Sequence, residues 1–119
     1  MAASTFEAHI RHQSAVAIID LQGEMNNFAT DVLSTATEEA VSQQPAMILL
    51  NFSQVDYINS AGIALIVVLL KRVRQASCSL AACNMSEHYR EIFQITRLTD
   101  YLSLFSDEAS ALKSAPSLS

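Results

Sequence analysis

The spacing of hydrophobic positions along this chain changes several times, and each change marks an element. From Thr5 to Arg11 apolar and polar residues alternate, with Phe6, Ala8 and Ile10 on one side and Glu7, His9 and Arg11 on the other. A period of two is that of a strand with one face buried. Ala15 to Leu21 is more uniformly apolar and reads as a second strand, which Gly23 is expected to end. Ser14-Ala15 carries no strong hairpin signature, so the pairing of these two strands stays open at this level. From about Asn27 to Gln43 the period lengthens. Phe28, Val32, Leu33, Ala36 and Ala40 fall three or four apart, the inward face of a helix, with Asp31, Glu38 and Glu39 toward water.

Pro45 forces a break, and Ala46 to Leu50 is a short continuous apolar run, the form of a strand covered on both faces. That run is expected to end at Asn51, before a polar turn carrying Asp56 and Asn59. Ile63 to Leu70 is ambiguous by composition, because Ile and Val favour strands. Length decides it: with Ala61 and Lys71 to Gln75 the run exceeds an ordinary strand and predicts a buried helix. Ser79 to Cys83 predicts another short strand, and Glu87 to Thr96 a helix with Tyr89, Ile92 and Phe93 inward. Tyr101 to Phe105 predicts a last strand, and Asp107 to Lys113 a terminal helix with acids first and lysine last. About Ser114 to Ser119 is expected to be a flexible tail. Strands alternating with helices in the order strand, strand, helix, strand, helix, strand, helix, strand, helix predict an α/β layer architecture with part of the sheet parallel. With no internal repeat and no linker, residues 1–119 are expected to form a single domain with one core.

Composition removes several function classes. The net charge of −5, from twelve acidic and seven basic residues, argues against a nucleic-acid surface, which needs clustered cations to neutralise phosphates. The one basic cluster, Lys71-Arg72-Val73-Arg74, reads as a solvated last helical turn. Met1 to Glu7 has neither a basic n-region nor an apolar h-region, and the run Ile63–Leu70 is too short to cross a bilayer, so a cytoplasmic location without membrane insertion is expected. Cys78 and Cys83, five apart in a strand-like segment, would lie on opposite faces, and reduced buried thiols are expected. His9, His12 and His88 share no ligand spacing, so no metal site is expected. Gly23 and Gly62 are the only glycines, which leaves no phosphate-cradling loop. Asp20 and Glu24 are scattered acids, and nothing beside Ser60 supplies a base. No catalytic residue and no cofactor are expected, and the chain reads as a non-enzyme.

What remains is Ser60, at the junction where the polar turn meets the predicted helix. On spacing alone a serine there has two readings. It is an N-cap worth about 1 kcal/mol, or it is a modification site where a phosphate would meet unpaired N–H groups and the positive end of the helix dipole.

A resemblance weighs between these readings. Asn51-Phe52-Ser53-Gln54-Val55-Asp56-Tyr57-Ile58-Asn59-Ser60-Ala61-Gly62 resembles the signature of STAS domains, the anti-sigma factor antagonists of bacteria: an apolar strand, D-x-S-x-V-x-x-[IM]-D-[ST]-[SA]-G, then a hydrophobic helix. Upstream, Leu21-Gln22-Gly23-Glu24-Met25-Asn26 resembles the L-x-G-E-[LIM]-D of the same family. Order and approximate spacing agree, and the likeness runs from about Phe6 to Leu112. The resemblance implies a mixed sheet of four to five strands packed against about four helices. It implies partner switching, in which the unphosphorylated domain binds an anti-sigma factor that is itself a serine kinase of the GHKL type. That kinase uses Mg-ATP to phosphorylate Ser60 and so releases the domain, and a PP2C-type phosphatase resets it. The implied partner-binding residues are Asn26, Tyr57, Asn59, Ser60, Ala61 and Gly62. Two departures from the pattern bear on the serine: Asn59 and Asn26 each stand where the family has aspartate, which removes negative charge beside it. The alternative within the family is a scaffold subunit of a stress-sensing or lipid-transport complex. A response-regulator receiver fits poorly, since Asn51 stands where the third strand would end in aspartate.

Overall fold

The structure, a computed structural model, describes residues 6–115. Thr5 of the first expected strand and 116–119 of the expected tail lie outside the described residues. Strands β1 (Glu7–Gln13) and β2 (Val16–Met25) form an antiparallel hairpin in register from Gln13↔Val16 to Glu7↔Gln22. The connecting Ser14 takes the left-handed conformation (φ 53°), which lets two residues reverse the chain where no glycine is present. Ala8 and Ile10 face the core with Phe6, as the alternation predicts. Gly23 does not end β2: it is buried, has φ 101°, and the strand continues to Met25 because its other edge stays paired.

Asn26 then starts a 3-10 turn, Asn27–Ala29, which leads into α1 (Thr30–Ser42). This corrects the expected inward face. Phe28 is 83% exposed and Val32 is also exposed, while Ala29 is buried. A 3-10 turn winds three residues per turn against 3.6 for the α-helix, so Phe28 falls out of phase with α1. Leu33, Ala36 and Ala40 keep the buried stripe, joined by Thr37, whose hydroxyl donates to the Leu33 carbonyl at 2.7 Å.

Strand β3 (Met47–Ile58) runs well past Asn51, where the sequence predicts an end and a polar turn. Its first part is paired on both edges, to β2 and to β4 (Ser79–Cys83), as far as Asn51↔Cys83. Beyond that it pairs with β2 alone, to Met25↔Ile58. Here β3 gains one residue on β2 between Asn51 and Gln54, and another between Val55 and Tyr57. Each gain is a bulge. Half-open, bulged backbone keeps Ser53, Gln54, Asp56 and Tyr57 exposed, which is why this stretch reads as a turn.

The chain continues through α2 (Ser60–Gln75), β4, α3 (Glu87–Ile95), a second 3-10 turn (Leu98–Asp100), β5 (Ser103–Phe105) and α4 (Glu108–Lys113). The sheet order is β1-β2-β3-β4-β5, parallel except for β1. Over the described residues this is the mixed five-stranded sheet with four α-helices that the resemblance implies. Helices α1, α2 and α3 pack with Ile19, Leu21, Ile48, Leu50 and Leu80 on one face. On the other face α4 places Ala111 against Val16, Ile18, Met47, Leu49, Ala81 and Cys83. Arg11 fastens that layer, donating to both Asp20 (2.5 and 2.9 Å) and Glu108 (2.5 Å).

Two further expectations change. Cys78 precedes β4 instead of lying in it, and its thiol donates to the Pro45 carbonyl at 3.0 Å; both thiols are buried and free, as expected. In the basic cluster Lys71 is solvated, but Arg72 makes a two-pronged pair with Glu38 of α1 (2.6 and 2.8 Å) and Arg74 lies over the Tyr101 ring at 5.4 Å. The Arg72 guanidinium holds the Glu38 carboxyl below its ordinary range.

Candidate functional site

The site is assembled where β2 and β3 end side by side. Met25↔Ile58 is the last pair of that ladder, so the turn after Met25 and the turn after Ile58 emerge as neighbours. The Asn59 N–H then donates to the Met25 carbonyl at 3.2 Å, which fixes the start of α2 against the end of β2. All the predicted site residues except Gly62 contribute surface here.

Asn59, and not Ser60, is the N-cap of α2. Its backbone is extended and its side-chain Oδ1 accepts the Gly62 N–H at 2.9 Å. The capping reading of Ser60 is thereby corrected, because a polar side chain one residue earlier already takes that donor. Ser60 is the first residue of the helix and is exposed. Among the described residues its hydroxyl has no hydrogen-bond partner, and the N–H groups of Ser60 and Ala61 donate to no protein acceptor. Those N–H groups and the helix dipole leave a positive field at the serine, suited to an added anion.

Gly62 is buried and acts through its lack of a side chain. A Cβ at this position would lie 2.2 Å from the Met25 carbonyl oxygen and 3.0 Å from the Ile58 Cγ2. The first turn of α2 therefore reaches the strand ends only with glycine here. Ala61 is half-buried beside it, Tyr57 is 51% exposed on β3 opposite Glu24, and Asn26 is half-buried with its Oδ1 accepting the Phe28 N–H at 2.9 Å. Beyond Ser60 the outward ridge of α2 continues through Ala64, Val68 and Lys71.

Two residues of this region escape sequence reasoning. Tyr89 of α3 accepts the Ile58 N–H on its hydroxyl at 3.0 Å, on the β3 edge that β4 no longer covers. No local signal points to a contact between residues so far apart in the chain. Phe28 is the other, and the Asn26-Asn27 pair before it was the available signal, since asparagine at that point favours a capped turn over helix continuation.

Among the described residues no group of three or more His, Cys, Asp or Glu side chains is placed to hold a metal ion, and no helix is long and apolar enough to cross a membrane.

Comparison with known proteins agrees with this architecture. Residues 7–111 match the STAS domain family. BtrV of Bordetella bronchiseptica, which carries the name of an anti-sigma factor antagonist, is 32% identical over 85 residues, covering 71% of each chain. The crystal structure of an anti-sigma factor antagonist from Mycobacterium paratuberculosis superposes with a TM-score of 0.81 at 15% identity, covering 93% of this chain and 94% of that one. The Bacillus cell fate determinant SpoIIAA in its phosphorylated form gives a TM-score of 0.67 at 20% identity, covering 92% and 97%. At these identities the two structures speak to the fold, while the match over residues 7–111 speaks to descent: the chain belongs to the STAS domain family.

Proposed function

We propose that this domain is an anti-sigma factor antagonist that works by partner switching at Ser60. Unphosphorylated, it binds an anti-sigma factor that is also a serine kinase of the GHKL type, and so frees that factor's target. The kinase transfers phosphate from Mg-ATP to Ser60, the domain is released, and a PP2C-type phosphatase restores it. The domain itself is a non-enzymatic regulator. Support comes from its relatives, which are anti-sigma factor antagonists, and from a fold neighbour solved in a phosphorylated form. The observation that carries the reading is the state of Ser60: exposed, unpaired, and set at a helix start whose cap is supplied by Asn59.

The physical logic is electrostatic. A phosphate adds about −1.5 to −2 charge at pH 7. The helix N-terminus tolerates it, so the fold survives, whereas a close-packed interface over Ser60 would have to desolvate it at a cost of several kcal/mol. Asn26, Tyr57, Asn59, Ser60 and Ala61 form the proposed contact surface, and Gly62 holds it in place.

Incubation with the cognate kinase and Mg-ATP, followed by tandem mass spectrometry, should place phosphate on Ser60 alone, and Ser60→Ala should take up none. In calorimetric titration with the kinase and ADP, Ser60→Asp should bind at least tenfold more weakly, about 1.4 kcal/mol, with an unchanged melting temperature. Phosphate elsewhere, or equal affinities, refutes the switch.

A further inference from the structure

We propose that Phe28 is the apolar anchor by which this domain holds its anti-sigma factor, a partner that presents an apolar pocket beside the bound Ser60. The inference rests on the reading of the Ser60 face as the partner interface and adds the residue that supplies affinity there.

Phe28 is 83% exposed, the most exposed of the large hydrophobic side chains described. The 3-10 turn that buries the neighbouring Ala29 turns Phe28 outward. The backbone that carries it is held. Its N–H donates to Asn26 Oδ1 (2.9 Å), the Ala29 N–H donates to the Asn26 carbonyl (3.0 Å), and the Thr30 hydroxyl donates to the Asn27 carbonyl (2.8 Å). An aromatic side chain on a pinned backbone loses little freedom on binding, which is the condition for an efficient anchor. The turn that carries it packs beside α2 and directly follows Asn26, the residue after Met25, whose carbonyl holds the start of α2 through the Asn59 N–H.

The rest of that face explains why an anchor is needed. Of the proposed contact residues only Tyr57 is large, and it is 51% exposed against 83% for Phe28. Asn26, Asn59, Ser60 and Ala61 are small, and Asn26 and Asn59 already spend their side-chain oxygens on local N–H groups. Binding energy in protein interfaces concentrates in a few large side chains, mostly aromatic, seated in desolvated pockets. A phosphate can switch off only an affinity that other groups provide. A second copy of this chain is a poor occupant, because each copy carries a net charge of −5, and the same charge opposes an anionic bilayer.

The test uses the full chain, with the GHKL-type kinase of the same genome and ADP as the probe. Wild type, Phe28→Ser, Phe28→Leu and Ser60→Asp are titrated calorimetrically and melted thermally. Phe28→Ser should bind at least about tenfold more weakly, Phe28→Leu should stay within about threefold of wild type, and all melting temperatures should agree because little packs on this side chain. Phe28→Ser should also raise the KM for phosphorylation of Ser60 without lowering kcat. Wild-type affinity in Phe28→Ser, with weakened binding in Ser60→Asp, overturns the anchor and leaves the switch standing. Weakened binding in Phe28→Ser, with none in Ser60→Asp, keeps the anchor and removes the switch. A wild-type dimer dispersed by Phe28→Ser in sedimentation velocity, or binding to phosphatidylglycerol vesicles lost in that variant, assigns the side chain to a second copy or to lipid and overturns the proposal.

Discussion

Replacing Gly62 with alanine adds one methyl group at the point where α2 meets the end of β2, and the structure allows its cost to be worked out. The new Cβ would sit 2.2 Å from the Met25 carbonyl oxygen and 2.9 Å from the Met25 carbonyl carbon. A comfortable C···O approach is about 3.3 Å, so the first turn of α2 must withdraw by roughly 1 Å. Withdrawal stretches the Asn59 N–H bond to the same Met25 oxygen, already 3.2 Å long. Losing that bond costs about 1 kcal/mol, and overpacking against backbone that cannot rotate away costs about 1–3 kcal/mol. Alanine returns about 1 kcal/mol through its better helix propensity. The net expectation is a destabilisation of about 2 kcal/mol, or a fall in melting temperature of about 8 °C for a domain of this size. Urea unfolding followed by far-UV circular dichroism measures it, and Ala64→Gly on the exposed ridge of the same helix calibrates the propensity term. A Gly62→Ala variant as stable as wild type would show that the start of α2 yields freely, and the reasoning that fixes Ser60 through this contact would fail.

Other expectations follow from single contacts. Asn59→Ala should lose about 1 kcal/mol of stability as a removed N-cap, whereas Ser60→Ala should stay within about 0.5 kcal/mol of wild type; the reverse order in chemical denaturation would return the cap to Ser60. Tyr89→Phe removes the acceptor of the half-buried Ile58 N–H, which should cost about 1–2 kcal/mol and speed hydrogen exchange at that amide, and unchanged exchange would dismiss the tether. Burial pushes the Cys83 thiol up to about 11 from an ordinary 9.0. Because the folded state holds this proton more tightly, the associated stability is complete below pH 9 and is lost as pH rises toward 11. Urea melts at pH 8 and pH 10 should differ by about 1.4 kcal/mol more in wild type than in Cys83→Ala, and equal differences would remove this thiol as the cause.

The sequence periods located the five strands and four α-helices but neither 3-10 turn, because each buried stripe is local: Ala36 and Ala40 on α1, Phe93 on α3 and Ile48 to Leu50 on β3 are buried where the pattern puts them. Errors gathered where tertiary context overrides local pattern. β3 runs on through Asn51-Phe52-Ser53-Gln54 because β2 offers a partner that polar composition cannot reveal, and its bulges break the alternation a strand would otherwise show. Phe28 belongs by spacing to the inward stripe, yet two asparagines divert the backbone into a 3-10 turn before the α-helix begins. At the site itself, Ser60 stood out from the junction of turn and helix, but its neighbour's capping role did not. Serine and asparagine are near-equal N-caps, and only the backbone conformation separates them.

The two asparagines beside Ser60 that stand where the family pattern has aspartate gain meaning from their hydrogen bonds. Each uses a side-chain oxygen to accept a backbone N–H, Asn26 from Phe28 and Asn59 from Gly62, both at 2.9 Å. An aspartate carboxylate accepts such bonds equally well and adds a charge that favours the helix start. Exchanging aspartate for asparagine therefore keeps the turn geometry and removes only the field. The departure is electrostatic and leaves the architecture alone. A consequence follows for the proposed switch: with neutral caps on both turns, a phosphate at Ser60 meets the full attraction of the helix N-terminus without a carboxylate at either position to repel it. On that proposal the phosphate leaves the fold intact, and the change in affinity rests on the phosphate's own charge against the partner.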